Sequence, residues 1–405
     1  MTPPAPSDRR IIYATATLRA LATSMMGLLL GLYLGRLGYT PVELGVVLGT
    51  GLSGAALSAL IVTFLGDRLG RRRSLVVLGL AAALGGGALA FTTDFLAVAA
   101  LAFFGMVNGM GRDRGAMLVL EQAMLPGVTT DQGRTRAFAW YNVLQDVGHA
   151  AGSALVALPA LLREVAGLGE IASFQSVVLL YAALQLAAAL LCLKLSPAVE
   201  VVDRRPVLEL SERSRAVLWR ISALFALDSF AGGFLGSALL AYFFHVQFGA
   251  SETAVAGLFL LARAANAFSH IGAAWLAERI GLVNTMVFTH IPSSLLLMLI
   301  PFAPSLWVAG ALLLAREALV EMDVPTRQSY VMALVQPRER TFSSGLTHLV
   351  RMAGWAAAPF FAGPLMQGVA LATPLFVAGG MKIAYDLLLF RAFRHVKPPE
   401  ELAPR

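Results

Sequence analysis

Apolar stretches long enough to cross a bilayer recur along the whole chain. They run at 11–37, 41–65, 73–93, 95–125, 134–161 and 173–196, then at 215–247, 251–278, 282–302, 304–334, 340–368 and 371–393. A bilayer core about 30 Å thick takes roughly 20 apolar residues per spanning helix. The pattern therefore predicts an all-α membrane protein of twelve transmembrane helices. With 405 residues, 58% of them hydrophobic and 14% charged, no large soluble domain fits beside those spans. The first stretch is too long for a signal-peptide core and is expected to be a permanent span.

The hydrophilic segment 197–214, holding Asp203, Arg204, Arg205 and Pro206, is the one long polar connection, and it divides the spans six and six. It sets an N-terminal bundle at 1–196 and a C-terminal bundle at 215–405, with the segment between them a cytoplasmic linker. The formal charge of +7 would suit nucleic acid in a soluble protein, but here the basic residues gather at the ends of apolar stretches, as topogenic signals do. Nucleic acid is therefore excluded as a partner. Arg9, Arg10, Arg68, Arg71 to Arg73, Arg134, Arg136, Arg204, Arg205, Arg279, Arg338, Arg340, Arg391, Arg394 and Lys397 fall on one side, leaving Arg36 and Arg163 on the other. By the positive-inside rule both termini are expected in the cytoplasm of a cell whose inner membrane holds the protein. The single Cys192 excludes a disulfide within the chain and a thiolate cluster, and the six histidines contain no i, i+4 pair, so neither a metal nor another cofactor is expected.

The halves echo one another. Gly66-Asp67-Arg68-Leu69-Gly70 after the second span matches Ala277-Glu278-Arg279-Ile280-Gly281 after the eighth, and Arg134-Thr135-Arg136-Ala137-Phe138 matches Arg338-Glu339-Arg340-Thr341-Phe342. Both pairs keep the same order at an offset a little over 200 residues, so the two bundles are expected to be pseudo-symmetric. Asp67-Arg68-Leu69-Gly70-Arg71-Arg72 resembles the signature loop between spans 2 and 3 of the major facilitator superfamily, with Thr63 standing where that loop has its first glycine. The resemblance implies alternating access by two six-helix bundles, with spans 1, 4, 7 and 10 lining the cavity. It also implies a cytoplasmic gate built from Asp67, Arg68, Gly70, Arg71 and Arg72, with Glu278 and Arg279 in the matching loop. Gly148 and Gly152 lie where drug and proton antiporters carry a Gly-Pro motif, here without the proline.

Ionisable residues inside the spans carry the functional information, because each costs several kcal/mol in hydrocarbon unless it has a partner or a wet cavity. Mid-span positions hold Arg112, Asp113 and Arg114, then Asp146, His149, Asp228 and Arg263, then Arg316, Glu317, Glu321, Asp323 and Arg327, and finally His348 and Arg351. On the tenth span a 100° step per residue gathers Arg316, Asp323 and Arg327 in one stripe beside Glu317 and Glu321, and Pro325 is expected to kink the helix between them. Lys382 and Asp386, at i, i+4, are expected to pair with each other. Arg112, Arg114, Arg263, Arg316, Glu317, Glu321, Asp323, Arg327 and Arg351 are the candidates for substrate contact or gating. Asp146, His149 and Asp228 are those for proton coupling.

The expected function is secondary active transport, a proton-coupled efflux of a small polar, amphipathic or anionic compound. An uptake permease or facilitator on the same scaffold is the alternative. A membrane-embedded enzyme would need a nucleophile with its base or a metal cluster, and the sequence offers neither at suitable spacing. The partners expected are the small-molecule substrate, protons and the lipid bilayer.

Overall fold

Residues 6–113, 115–129, 134–200, 212–323, 326–327, 330 and 340–395 are described by the structure, a computed structural model. Among them the regular elements are helices, and no strand occurs. In chain order they are α1 (Pro6–Arg36), α2 (Pro41–Leu69), α3 (Arg71–Ala88), α4 (Phe95–Phe104), α5 (Ala116–Met124), α6 (Arg134–Ala154), α7 (Leu158–Ala166) and α8 (Glu170–Cys192). There follow α9 (Glu212–Gly233), α10 (Ser237–Phe248), α11 (Glu252–Ile280), α12 (Leu282–Leu299), α13 (Leu306–Val320), α14 (Arg340–Ala357), α15 (Pro359–Gly368) and α16 (Thr373–Phe393). Six segments, 7–36, 41–66, 170–192, 215–248, 282–302 and 373–393, are long and apolar enough to cross a membrane, so the chain is a multi-pass membrane protein.

Local chemistry sets the helix ends. Thr40 accepts from the N–H of Glu43 while Glu43 reaches back to the N–H of Thr40, a capping box ahead of Pro41 in the first turn of α2. The Asp94 side chain accepts from Ala97 N–H at 2.9 Å to start α4.

Several expected spans are not continuous helices. The stretch read as 95–125 breaks at 105–115, between α4 and α5, where Gly105, Gly109, Gly111 and Gly115 leave little side chain to hold a helix. Met106 takes φ +50° there and Gly111 φ +68°. Freed backbone groups at this depth need partners inside the protein. Asn108 Nδ2 donates to Arg112 O at 2.6 Å, the Asp113 N–H donates to His149 Nε2 at 3.1 Å, and Ser237 Oγ donates to Met110 O at 2.8 Å. The stretch read as 215–247 is likewise interrupted between α9 and α10.

Two compact units divide the chain. The first comprises Met1–Arg204, Gly236–Leu260 and Pro359–Gln367; the second comprises Arg205–Leu235, Leu261–Ala358 and Gly368–Arg405. In the first, α1 packs on α6, α8 and α10, and α3 on α8. In the second, α9 packs on α14 and α16, and α12 on α13 and α16. Close approach rests on small residues. A Cβ on Gly54 would stand 1.9 Å from Phe103 O, one on Gly51 2.2 Å from Val107 O, and one on Gly152 2.2 Å from Leu21 O. Gly54→Val should therefore lower the thermal unfolding midpoint by several degrees, since overpacking costs about 1–3 kcal/mol. Gly257→Ala, whose Cβ meets nothing within 4 Å, should leave the midpoint unchanged or slightly raised. Fluorescence-detected unfolding of the detergent-purified protein reads both.

Candidate substrate and gating site

Each unit has a buried ionic centre. In the first it forms around Arg19 of α1, whose residue is 1% exposed. Its Nη1 and Nη2 donate to the two oxygens of Glu121 on α5 at 2.6 and 2.8 Å, a bidentate pair, and its Nε donates to Asp113 Oδ2 at 2.7 Å. Tyr141 Oη and Thr15 Oγ1 each donate to Glu121 at 2.8 Å. Asp113 reaches Arg19 because the break after α4 lets the backbone turn there, and His149 of α6 pins that turn through its Nε2. Arg19, Asp113, Thr23, Asn108, Tyr181 and Gln185 border a small crevice of about 30 Å³.

In the second unit five helices or their flanks contribute to one chain of charges. Lys382 Nζ on α16 donates to Asp228 Oδ1 on α9 at 2.9 Å. Arg327 Nη1 approaches Asp228 Oδ2 at 3.4 Å and also donates to Asp323, four residues earlier. Arg351 Nη2 on α14 lies 3.8 Å from the same Asp228 oxygen. His290 Nδ1 on α12 is 3.0 Å from Asp386 Oδ1, and its Nε2 is 3.4 Å from Lys382 Nζ. The guanidiniums of Arg327 and Arg351 stand over the Phe225 ring at 5.2 and 5.9 Å, and Arg351 also over Trp355 at 4.9 Å.

Of the residues singled out from sequence, Asp228, Asp323, Arg327 and Arg351 meet in this one cluster. Arg316 is buried on α13 and pairs with its neighbour Glu317; Glu321 just past α13 and Arg263 on α11 are half-buried. Arg112 is half-buried in the break, His149 is buried, and Asp146 sits on an exposed face of α6. Arg114 and Pro325 lie outside the described residues, as does the side chain of Asp67. Lys382 and Asp386 do not pair with each other as expected. Lys382 is drawn to Asp228 and Asp386 to His290, because both side chains are buried and each meets a better partner on another helix.

Around the signature-like loop, Gly70 takes φ +92°, and the N–H groups of Arg71 and Arg72 donate to the Glu200 carboxylate at 2.8 and 3.1 Å. A carboxylate there meets both the free N–H groups and the positive dipole end of α3. Arg68, Glu278 and Arg279 are exposed, with the Arg279 guanidinium 4.1 Å over the Trp275 ring. Sequence reasoning missed this role of Glu200, and it missed Arg19 and His290. It also missed the ion pairs of Arg36 with Glu170 at 2.8 Å and Glu252 at 3.8 Å, and of Arg163 with Glu252 at 3.1 Å. The signal for these last was present: Arg36 and Arg163 are the two basic residues on a side otherwise without Lys or Arg.

The Major Facilitator Superfamily matches residues 12–359, well over half of the chain. The chain belongs to the major facilitator superfamily. The uncharacterized membrane protein YJR124C of Saccharomyces cerevisiae is 25% identical to it, over 94% of this chain and 93% of the yeast protein. In fold it resembles the nucleoside transporter NupG, with TM-score 0.74 and 13% identity over 96% of this chain and 99% of that one. The human organic anion transporter MFSD10 (TETRAN) gives 0.62 and 19%, over 96% and 100%. A bacterial homologue of the human lysosomal transporter Spinster gives 0.70 and 15%, over 96% of each chain. As a member of this superfamily the chain is a secondary transporter that works by alternating access on a small molecule, not an enzyme.

Arg19→Met would leave two carboxylates buried without their guanidinium, and breaking such a pair costs about 3–5 kcal/mol. The variant should lose most of its folded, monodisperse yield in detergent, and adding Glu121→Gln should restore part of the unfolding midpoint. Equal midpoints for Arg19→Met and the unaltered protein would refute the structural weight given to this centre.

Proposed function

We propose that this transporter is a proton-coupled exporter of a small polar, amphipathic or anionic compound. It acts through twelve spans in two pseudo-symmetric six-helix bundles, 1–196 and 215–405, in the cell's inner membrane with both termini cytoplasmic. The one-sided distribution of Lys and Arg supports that orientation. The loop from Asp67 to Arg72, with Glu278 and Arg279, serves as the cytoplasmic gate. Arg112, Arg114, Arg263, Arg316, Glu317 and Glu321 complete the gating network. Asp146, His149 and Asp228 are the sequence-level candidates for the coupling proton.

The reading rests on one observation, the convergence of Lys382, Arg327 and Arg351 on the single carboxylate of Asp228. A guanidinium within the membrane keeps a counter-charge at all times. It can exchange that counter-charge when the existing contact is long, and 3.4 and 3.8 Å are at or beyond the range of a good hydrogen bond. A carboxylate, phosphate or sulfate on a substrate would take the place of Asp228 on Arg327 and Arg351. The Phe225 and Trp355 rings beside those arginines would receive an apolar portion of the same molecule. That a human organic anion transporter shares the fold is consistent with such a substrate.

The test is a thermal-shift screen of the purified protein against small anions and amphipathic metabolites at two pH values. At least one anionic compound should raise the midpoint, and by different amounts at the two pH values. Arg351→Ala should weaken that compound about ten- to hundredfold, the loss of a hydrogen bond to a charged group, while the unliganded midpoint moves little. The reading is refuted if every stabilising compound is neutral or cationic and binds Arg351→Ala unchanged.

A further inference from the structure

Histidine is the side chain whose ordinary titration range lies nearest neutral pH, and the cluster in the second unit holds one, His290. His290 is buried, and so are its two neighbours, Asp386 and Lys382. Its Nδ1 lies 3.0 and 3.1 Å from the two oxygens of Asp386, and its Nε2 lies 3.4 Å from Lys382 Nζ. A ring nitrogen facing a carboxylate donates its proton, and a ring nitrogen facing an ammonium, which can only donate, offers its lone pair. These two neighbours favour the neutral Nδ1–H form of the ring. A proton added at Nε2 would set donor against donor and place two positive charges 3.4 Å apart. The protonated ring and the Lys382–His290 contact therefore exclude each other.

The groups on the helices packed against α12 complete the setting. From α16 come Lys382, Asp386 and the Tyr385 ring, whose centroid is 6.1 Å away and whose plane is nearly perpendicular to the imidazole. From α13 come Arg316 and Glu317, which neutralise each other. Beyond Lys382 lies Asp228, and on its other oxygen the two arginines.

We infer that His290, in place of Asp146, His149 or Asp228, is the proton-binding group, and that Lys382 relays its protonation to Asp228. This deepens the proton-coupled reading above and rests on it. A proton taken from water onto Nε2 makes an imidazolium that stays paired with Asp386. Lys382 then leaves the ring and turns wholly onto Asp228, in competition with Arg327 and Arg351. The same re-partnering serves either direction of transport.

The experiment is a pH titration of the full-length protein in lipid nanodiscs, with histidine labelled with ¹⁵N in the imidazole. The His290 signal is identified by its loss in His290→Gln. At neutral pH it should report a protonated Nδ1 and a bare Nε2. Lys382→Met removes the opposing charge and should tighten proton binding at His290 about tenfold or more, whereas Asp386→Asn should weaken it. If Lys382→Met does not fold, the direction of the Asp386→Asn shift decides. A His290 titration unmoved in the folded variants, or a bare Nδ1 at neutral pH, overturns the switch whatever ligands do. A responsive His290 together with ligand stabilisation that ignores pH would instead sink the coupling reading and leave the switch standing.

Discussion

Hydrocarbon supplies no hydrogen-bond partner, so an ion or an interrupted turn within the bilayer must find its partner in the protein. Arg19 displays how far that demand shapes the first unit. Its side-chain donors are met by two acids, and Glu121, the one gripped bidentately, also accepts from Tyr141 and Thr15. Bringing Asp113 into that set requires the chain to leave the helical path after α4. Leaving it frees backbone groups, and these are met in turn by Asn108, His149 and Ser237. Other glycines, Gly27 of α1 and Gly51 and Gly54 of α2, let those helices lie against the break and the end of α4. Ion pair, helix break and close packing are therefore one solution to one constraint.

The two ionic centres solve it differently, and the difference bears on transport. Around Arg19 the donor–acceptor distances are 2.6 to 2.8 Å with two-pronged geometry, an arrangement that resists rearrangement because no alternative partner is better placed. Around Asp228 three cations share one carboxylate, at 2.9, 3.4 and 3.8 Å. Where cations compete for a single acid, small movements change which one holds it. A set of partners that can be exchanged is what a cycle between states requires, whereas the first centre behaves as a fixed element of its unit.

Much of the fold was legible in the sequence because span length and apolar content act locally. Long helices such as α1, α2, α8, α12 and α16 fall where unbroken apolar runs predict them. The break at 105–115 was not read, although four glycines mark it, because glycine is common in transmembrane helices and the groups that stabilise the break, His149 and Ser237, lie far along the chain. Arg19 went unremarked for a related reason. It stands alone among apolar neighbours in the first span, and its acids lie 94 and 102 positions away. The cluster of Asp228, Asp323, Arg327 and Arg351 was foreseen as a set of candidates, since each is an ion in an apolar run, but its partners were not.

Lys382 and Asp386 show why pairing in particular escapes a reading of one helix at a time. An i, i+4 pair contributes about 0.2–0.5 kcal/mol on an exposed helix, where either side chain can otherwise turn to water. Inside a bundle the alternative to a partner is no partner, and stranding a buried charge costs several kcal/mol. The stakes of satisfying Asp228 and His290 thus exceed the local preference by roughly tenfold. Asp228, on α9, already faces two guanidiniums at longer range and still takes Lys382 at 2.9 Å. Asp386, relieved of the lysine, takes His290. The same exchange that defeats the short-range rule joins α9, α12 and α16 through one continuous run of buried polar contacts.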